Sequence, residues 1–574
     1  MHKEINTLNI FHQDNSNYCF ATDKNKVTLR LRVRKDLNLE DVTLWYGVKY
    51  KFLKHDTAKL EVKYENDTCK FYEINLTLED RRVAYCFTFK YKGETYYYTR
   101  EGINLDFDET WSYYLFQIGF INDDDVVYQS EYSKNKIFYQ VFVERFNIGN
   151  KDKNMDYVNM SVEDKPNRMS FMGGDLQGVI DKIDYLKELG INVLYLNPIF
   201  ESNSNHKYNI ADYKMIDHNF GDDEVFKKLV DLCHENGILV VLDAVFNHCA
   251  TDNPIFEDVC EKGKESKYYD WFFVHGDKAK VSMFNPNYEG FGLGGYMPKL
   301  NTANKEVRDY LIDVGTYFIK KFDIDGWRLD VGDEVSHNFW HEFRNACKAI
   351  KKDFLIIGEV WFDSRSFLHG DQFDSVMNYT YRKAILRYFK KGFNIDKLVY
   401  DITDCYLENM STISKMMFNL LDSHDTPRFY FTLNHDLDLL KQAVALQFAY
   451  VGNPSIYYGD EYHLDGDDDP DCRRGMIFDK DKIDVEYLEF IKKFISIRKS
   501  EKALYEGEIS LSTNNNKYFS MTRFVGNEKV TLILNNKVKP LDLSDLNYSK
   551  VLISNRFDED KKSLKNKGFV IIKE

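Results

Sequence analysis

Asp330 and Glu359 each sit at the end of a short apolar run, in Asp323-Ile-Asp-Gly-Trp-Arg-Leu-Asp330 and Phe354-Leu-Ile-Ile-Gly-Glu359-Val-Trp361. Two carboxyl groups placed this way suit cleavage of a glycosidic bond, which needs one carboxylate kept ionised and one carboxyl kept protonated across the scissile bond. Arg328 lies two residues before Asp330 and so points to the same side of an extended strand, where its fixed charge should hold Asp330 as the anion. Glu359 has no basic neighbour in its run, and its apolar flanks favour a raised pKa and a proton donor. Taken alone, either run is more often structural than functional, since strand ends commonly carry Asp or Glu and an Arg-Asp pair is often only a structural ion pair. Two further runs share the pattern, Val240-Val-Leu-Asp243-Ala-Val-Phe-Asn247-His248 and Met417-Phe-Asn-Leu-Leu-Asp422-Ser-His424-Asp425. Four apolar strands that end, one after another, in groups able to hydrogen-bond a polyol point to one site.

The elements that must position these groups are legible as a change of rhythm. From about 134 the chain repeats buried strand, loop and amphipathic helix: Ile137–Phe142, a helix over 178–189, Val193–Leu196, a helix over 224–235, Leu239–Val245, and onward through Pro454–Tyr458. Eight such strands, ending near 500, predict a (β/α)8 barrel, the TIM barrel of the α/β class. Residues 249–303 are too long for an ordinary strand-to-helix connection and read as a small subdomain after the third strand. Before the barrel, residues 1–125 alternate apolar and polar, as in Val27-Thr-Leu-Arg-Leu-Arg-Val33, which predicts an N-terminal β-sandwich. After it, 505–574 regain strand-like runs and predict a C-terminal antiparallel β domain.

Composition bounds the function. The 574 residues include 77 Lys and Arg against 92 Asp and Glu, a net charge of −15, which argues against nucleic acid or an anionic membrane as the main partner. Nine cysteines without a CxxC pattern read as reduced thiols, and neither a leader at Met1–Ile10 nor a membrane-length apolar stretch is visible. A cytoplasmic enzyme acting on imported oligosaccharides is the expectation. Aromatics reach 16%; they suit packing on sugar faces, and equally a compositional bias toward Phe and Tyr.

With these motifs in view the chain resembles the α-amylase superfamily, and within it the cyclomaltodextrinase, neopullulanase and maltogenic amylase subfamily. The matches are Asp243-Ala-Val-Phe-Asn-His248, Gly326-Trp-Arg-Leu-Asp330 with Glu334 following, Gly358-Glu-Val-Trp361, Leu421-Asp-Ser-His-Asp425 and the narrower signature Met297-Pro-Lys-Leu-Asn301. His206-Lys-Tyr208, Gly459-Asp-Glu461, Asp469-Pro-Asp-Cys-Arg473 and Ile10-Phe-His-Gln-Asp14 extend the likeness over nearly the whole chain.

The resemblance implies a retaining hydrolase of α-1,4-glucosidic bonds, with α-1,6 bonds possible, in cyclodextrins, pullulan and maltooligosaccharides. Asp330 would be the nucleophile, Glu359 the acid and base, and Asp425 the partner of the 2- and 3-hydroxyls. Arg328 would orient Asp330, His248 and His424 would hold hydroxyls of the same ring, Tyr208 would stack beneath it with His206 nearby, and Asp243 would lie buried behind them. Arg473 and Glu334 would sit one or two subsites away, with Glu334 steering the choice between water and a sugar acceptor. For Asp469 and Trp361, loop capping and cleft wall stand beside direct sugar contact. Gly332 and Asp333 replace the subfamily's usual Ala-Asn, and Phe362 stands where many relatives have His.

No cofactor is expected to be required. Some relatives bind calcium near Gly173-Gly-Asp175, but Ile148 stands where a ligating Asn is usual, and Lys153 lies close by. The resemblance also implies a homodimer in which the N-terminal domain narrows the mouth of a partner's cleft. Three other classes bear weighing: a metal-dependent barrel hydrolase, which needs clustered His and carboxylate ligands; a non-catalytic glucan-binding relative, which would have lost a catalytic carboxylate; and a transglycosylase of the same fold.

Overall fold

The computed structural model describes residues 9–106 and 112–574. Segment 1–8, at the start of the expected sandwich, lies outside the described residues, as does 107–111. Contacts group the chain into two compact units, one of residues 1–129 with 390–414 and 510–522, the other of 130–389 with 415–509 and 523–574.

The first unit is built on two antiparallel sheets. Strand Lys26–Arg34 pairs along its full length with Cys69–Thr77, from Lys26 opposite Thr77 to Arg34 opposite Cys69. The alternation read from the sequence buries Val27, Leu29, Leu31 and Val33 completely, in one core with Leu44, Tyr85 and Phe87 of the other sheet. Arg30, on the opposite face, is also buried: it ion-pairs with Glu73 at 2.6 Å and donates to the carbonyl of Asn409 at 2.9 Å. The helix Ile395–Leu407 and its flanks thus belong to this unit, although they follow the sixth barrel strand in the chain.

The second unit contains the barrel. Its strands are β1 (Phe138–Val141), β2 (Val193–Leu196), β3 (Leu239–Ala244), β4 (Gly326–Leu329), β5 (Leu355–Gly358), β6 (Ser375–Val376), β7 (Phe418–Leu420) and β8 (Asn453–Tyr457). Neighbours pair in parallel from β1 to β6, from β7 to β8 and from β8 back to β1. A parallel bridge between Met377 and Phe418 joins the β6 and β7 ends, so the sheet closes. Phe138, Val193, Tyr195, Val241, Leu355, Ile357 and Phe418 fill its interior as a packed core rather than a pore.

The helices carry the end signals expected of their sequences. Asp222 accepts from the Val225 amide at 2.9 Å to start Asp223–Glu235. Gly190, at φ 92°, ends Ile183–Leu189 in the left-handed conformation that only glycine adopts without strain. The single helix expected over 178–189 is instead two pieces, Leu176–Ile180 and Ile183–Leu189.

Between β3 and the helix Lys305–Phe322, residues 249–303 form a short helix, Pro254–Lys262, and loops packed on Phe256, Phe272 and Tyr288. This insertion is stitched back to the barrel. Lys299 bridges His248, the Leu300 amide donates to Asn247 at 2.9 Å, and the Cys249 amide donates to Pro298 at 3.1 Å. Beyond the barrel, Glu528–Asn535, Leu541–Asp542, Lys550–Asp558 and Ser563–Lys573 pair antiparallel.

Candidate active site

The C-terminal ends of β3, β4, β5 and β7 deliver their carboxylates to one place, the face where barrel strands feed their loops. Arg328, on β4 and almost wholly buried, is the hub. Its Nη1 donates to Asp330 Oδ1 at 2.9 Å and to Asp243 Oδ1 at 2.8 Å. Its Nη2 lies 2.9 Å from Glu359 Oε1, off the hydrogen-bonding direction, and 4.0 Å from Asp425 Oδ2.

Glu359 has no cation in its own run, and the adjacent strand supplies one in Arg328. One sequence expectation is corrected: Arg328 does not depress the Asp330 carboxyl, because burial first, and the Glu359 charge second, push it well above the ordinary range against the pull of Arg328. One guanidinium facing three buried carboxyls would leave two uncompensated negative charges if all were ionised. Each costs several kcal/mol in such surroundings, roughly, so the cluster relaxes by keeping a proton. Asp243, raised by burial in the same way, is satisfied by Tyr195 Oη at 2.6 Å, Tyr208 Oη at 2.8 Å and Arg328.

Glu359 is held at both oxygens. The Val331 amide donates to Oε2 at 3.0 Å and the Trp361 indole to Oε1 at 3.0 Å, while the indole ring stacks on Tyr379 with centroids 3.9 Å apart. Val331 adopts φ 46°, a costly conformation for a β-branched residue, and its amide and that of Gly332 both bond to Glu359 there. Gly358 must lack a side chain, because a Cβ would fall 2.4 Å from the Phe373 ring. Trp361 therefore has a role that the sequence left open: it braces Glu359.

On the β7 side, His424 is a buried neutral imidazole, its pKa driven well down by burial and then by Arg328. Gln140 donates to its Nδ1 at 2.8 Å, so Nε2 carries the proton, between Tyr208 Oη and Asp425 Oδ2. Tyr208 stacks on His424 at 5.3 Å and 4°, and His206 flanks Tyr208 at 6.1 Å. Arg473 donates to the His424 carbonyl at 2.8 Å and to Asp425 Oδ1 at 3.2 Å, and pairs with Asp469 at 2.9 Å. His248 donates to the Tyr208 carbonyl at 3.2 Å and lies against Phe291 of the insertion. Burial lowers both His206 and His248 to about 3.

Except for Asp243, Arg328 and His424, which stand behind its floor, the sequence-derived candidates line one open cleft of about 1990 Å³, the solvent at its mouth included. Barrel loops supply Asp330, Glu334, Glu359, Trp361 and Phe362, and the insertion supplies Met283, Phe291, Tyr296 and Met297. Sequence reasoning missed Gln140, Asn197 and Lys299. Asn197 donates to Tyr208 Oη at 2.8 Å, and Lys299 lies 3.4 Å from Glu334. For Gln140 a signal existed, a polar residue inside the apolar run Phe138-Tyr-Gln-Val141.

The residues implied for calcium do not fit a cation. Lys153 already directs its ammonium at the Gly173 carbonyl (2.7 Å), the Asn219 carbonyl (3.0 Å) and Asp175 Oδ2 (2.9 Å). The other Asp175 oxygen accepts from the amides of Gly149 and Gly178. Among the described residues one trio could offer three metal ligands, Glu201, Asp217 and His218. Asp217 there is paired with Lys207 at 2.7 Å, and the trio does not line the cleft.

Fold and site together define a glycoside hydrolase built on a (β/α)8 barrel. The chain belongs to the α-amylase family: the family described as "Alpha amylase, catalytic domain" matches residues 140–486, and "Alpha amylase, N-terminal ig-like domain" matches 5–122. It is 41% identical to a cyclomaltodextrinase of Thermoanaerobacter pseudethanolicus over 92% of each chain. It is 37% identical to neopullulanase 2 of Thermoactinomyces vulgaris over 92% of this chain and 91% of that one. A solved cyclomaltodextrinase structure superposes with a TM-score of 0.89 at 35% identity, covering 99% of this chain and 98% of its own.

Proposed function

We propose that this enzyme hydrolyses α-1,4-glucosidic bonds, and α-1,6 bonds where they occur, in cyclodextrins, pullulan and maltooligosaccharides, with retention of the anomeric configuration. The observation that carries the reading is the single guanidinium of Arg328 touching both Asp330 and Glu359 at the ends of adjacent strands, with Asp425 facing them. The names of the similar proteins support the substrate class.

Asp330 attacks the anomeric carbon as Glu359 gives its proton to the departing glycosidic oxygen, forming a glycosyl ester. Glu359 then takes a proton from water, which opens the ester. The productive form of the cluster has its proton on Glu359 and leaves Asp330 free to attack. Asp425 holds ring hydroxyls, with the Nε2–H of His424 behind it bonding to Tyr208 and Asp425; Tyr208 packs beneath the sugar, and Arg473 keeps Asp425 aimed. The ammonium of Lys153 does the work of a structural cation, so no metal is needed.

The enzyme acts inside the cell as a homodimer. A relative named intracellular maltogenic amylase, 35% identical, supports that location. The test is a product profile from cyclodextrin, pullulan, maltotriose and soluble starch, with the anomer of the first product followed by NMR. Initial α-products from the first three substrates are expected; initial β-products would overturn the double displacement.

A further inference from the structure

Lys299 reaches from the insertion to the catalytic strand ends, and its surroundings are unlike those of a surface lysine. Its ammonium donates to the main-chain carbonyl of Glu334 at 2.9 Å and to Asn247 Oδ1, and lies 3.4 Å from Glu334 Oε2. The side chain is only 21% exposed, and burial lowers its pKa against the pull of Glu334 and Asp333. Asn247 completes the arrangement: its amide nitrogen lies 3.3 Å from Glu334 Oε2 and 3.3 Å from His248 Nδ1. Lys299 orients the Asn247 amide through its oxygen, and the amide in turn serves Glu334 and His248.

Glu334 lies on the side of the cleft that belongs to the acid. It ends the short turn Gly332–Glu334 that directly follows Val331, whose amide holds Glu359 Oε2, while the Gly332 amide holds the Glu359 carbonyl. Asp425, Arg473 and Asp469 cluster around β7 and β8 on the other flank. The group that leaves when Glu359 donates its proton, and the group that enters when Glu359 takes one back, must both pass the 331–334 turn. A carboxylate held there, half exposed and lining the cleft, meets the hydroxyls of whatever occupies that position.

We propose that Lys299 is a positioning residue: by clamping Glu334 from the insertion, it fixes the subsite beyond Glu359 and so sets how well a sugar competes with water for the glycosyl-enzyme. The inference rests on the double-displacement reading, because only a covalent intermediate lets water and sugar compete. The clamp acts on the entering group more than on bond cleavage. Its loss therefore weakens acceptor binding before it slows donor turnover.

The experiment uses the full-length enzyme with maltotriose as donor and methyl α-glucoside as acceptor, resolving transfer and hydrolysis products by chromatography. Lys299→Met removes the charge and keeps most of the side-chain volume; Lys299→Arg keeps the charge. In Lys299→Met the acceptor concentration giving half-maximal transfer should rise about fivefold, what losing a half-buried ion pair is worth, with a smaller change in donor kcat/KM. Lys299→Arg should restore most of the acceptor affinity, and Lys299→Met combined with Glu334→Gln should be no worse than Glu334→Gln alone. Acceptor affinity unchanged in Lys299→Met, or falling only in step with donor kcat/KM, would overturn the proposal, as would full additivity of the two substitutions. If Lys299→Met fails to fold, the Glu334→Gln and Asn247→Asp variants carry the same comparison, and unchanged acceptor affinity in both would overturn it. Absence of any α-retained product would instead sink the reading beneath it.

Discussion

Arg328 Nη2 lies 2.9 Å from Glu359 Oε1 without pointing an N–H at it, a close electrostatic contact lacking a hydrogen bond. The same guanidinium makes true hydrogen bonds to Asp330 and Asp243, so its charge is shared unevenly and Glu359 keeps the freer hand to exchange a proton. Replacing Arg328 by Gln should raise the Asp330 pKa further, because the largest influence opposing burial and Glu359 is lost. The acid limb of kcat/KM should accordingly move to higher pH, and turnover should fall by about a hundredfold or more. A pH–rate series checks this; a limb that stays put would mean that Asp330 does not govern it. The variant leaves buried carboxyls uncompensated at a cost of roughly 3–5 kcal/mol, so Lys belongs in the series as a charge-keeping control.

Asp330→Asn and Glu359→Gln should each cut turnover by several orders of magnitude on natural glucans, since nucleophile and acid work as a unit. An activated α-glucosyl fluoride separates them. Its leaving group needs little protonation, so Glu359→Gln should retain far more activity on it than Asp330→Asn. Steady-state kinetics on both substrates check this, and equal, mild losses would remove the two residues from these roles.

Much of this was legible in the chain because the barrel's chemistry sits where hydrophobic periodicity stops. Asp243, Asp330, Glu359 and Asp425 are the polar residues that follow apolar runs, and those runs are β3, β4, β5 and β7. The position of the sixth strand was not legible, since Ser375–Val376 is two residues long and carries no period. Lys299 and Trp361 were hidden for another reason. Their work depends on which strand ends fold side by side, and Lys299 meets Glu334 35 residues further along the chain. The Arg328 contact to Glu359 was hidden likewise, because that cation comes from a neighbouring strand rather than from its own run.

Buried neutral histidines make the stability fall in acid. His206 and His248 titrate near 3 in the folded protein and near 6.5 when unfolded. As pH drops below 6.5 the unfolded chain gains protons that the folded one refuses. The stability they contribute is thus complete above 6.5 and lost toward 3, at about 1.4 kcal/mol per pH unit for each. Denaturant unfolding at pH 7, 6 and 5 should trace that slope. His248→Gln, which can still donate to the Tyr208 carbonyl, should flatten it.

Chelation should leave activity and melting temperature unchanged, because Lys153 supplies the positive charge at Asp175. Lys153→Met should cost roughly 3–5 kcal/mol by stranding the Asp175 carboxylate, which is 1% exposed. Calorimetry with and without EDTA checks both halves. A wild-type transition that falls on chelation would show that a metal is needed after all.

The role proposed for the N-terminal sandwich is steric. As part of a dimer it would narrow the mouth of a partner's cleft, which a small ring or a short oligosaccharide can enter and a long branched chain cannot thread without losing conformational freedom. Deleting residues 1–125 is a poor test here, because Asn17 and Arg30 donate to the carbonyls of Leu407 and Asn409, and the deletion would strip the 390–414 segment of these partners. Dilution avoids that damage. Light scattering across a concentration series should give a mass that falls from dimer to monomer, and the ratio of starch to cyclodextrin activity should rise over the same range. Charged substitutions at the exposed Tyr50 and Leu53, which cost the fold little, should move both curves together if that face takes part in the dimer. A protein that is monomeric throughout and still prefers cyclodextrin to starch would assign the selectivity to the barrel loops and the 249–303 insertion alone.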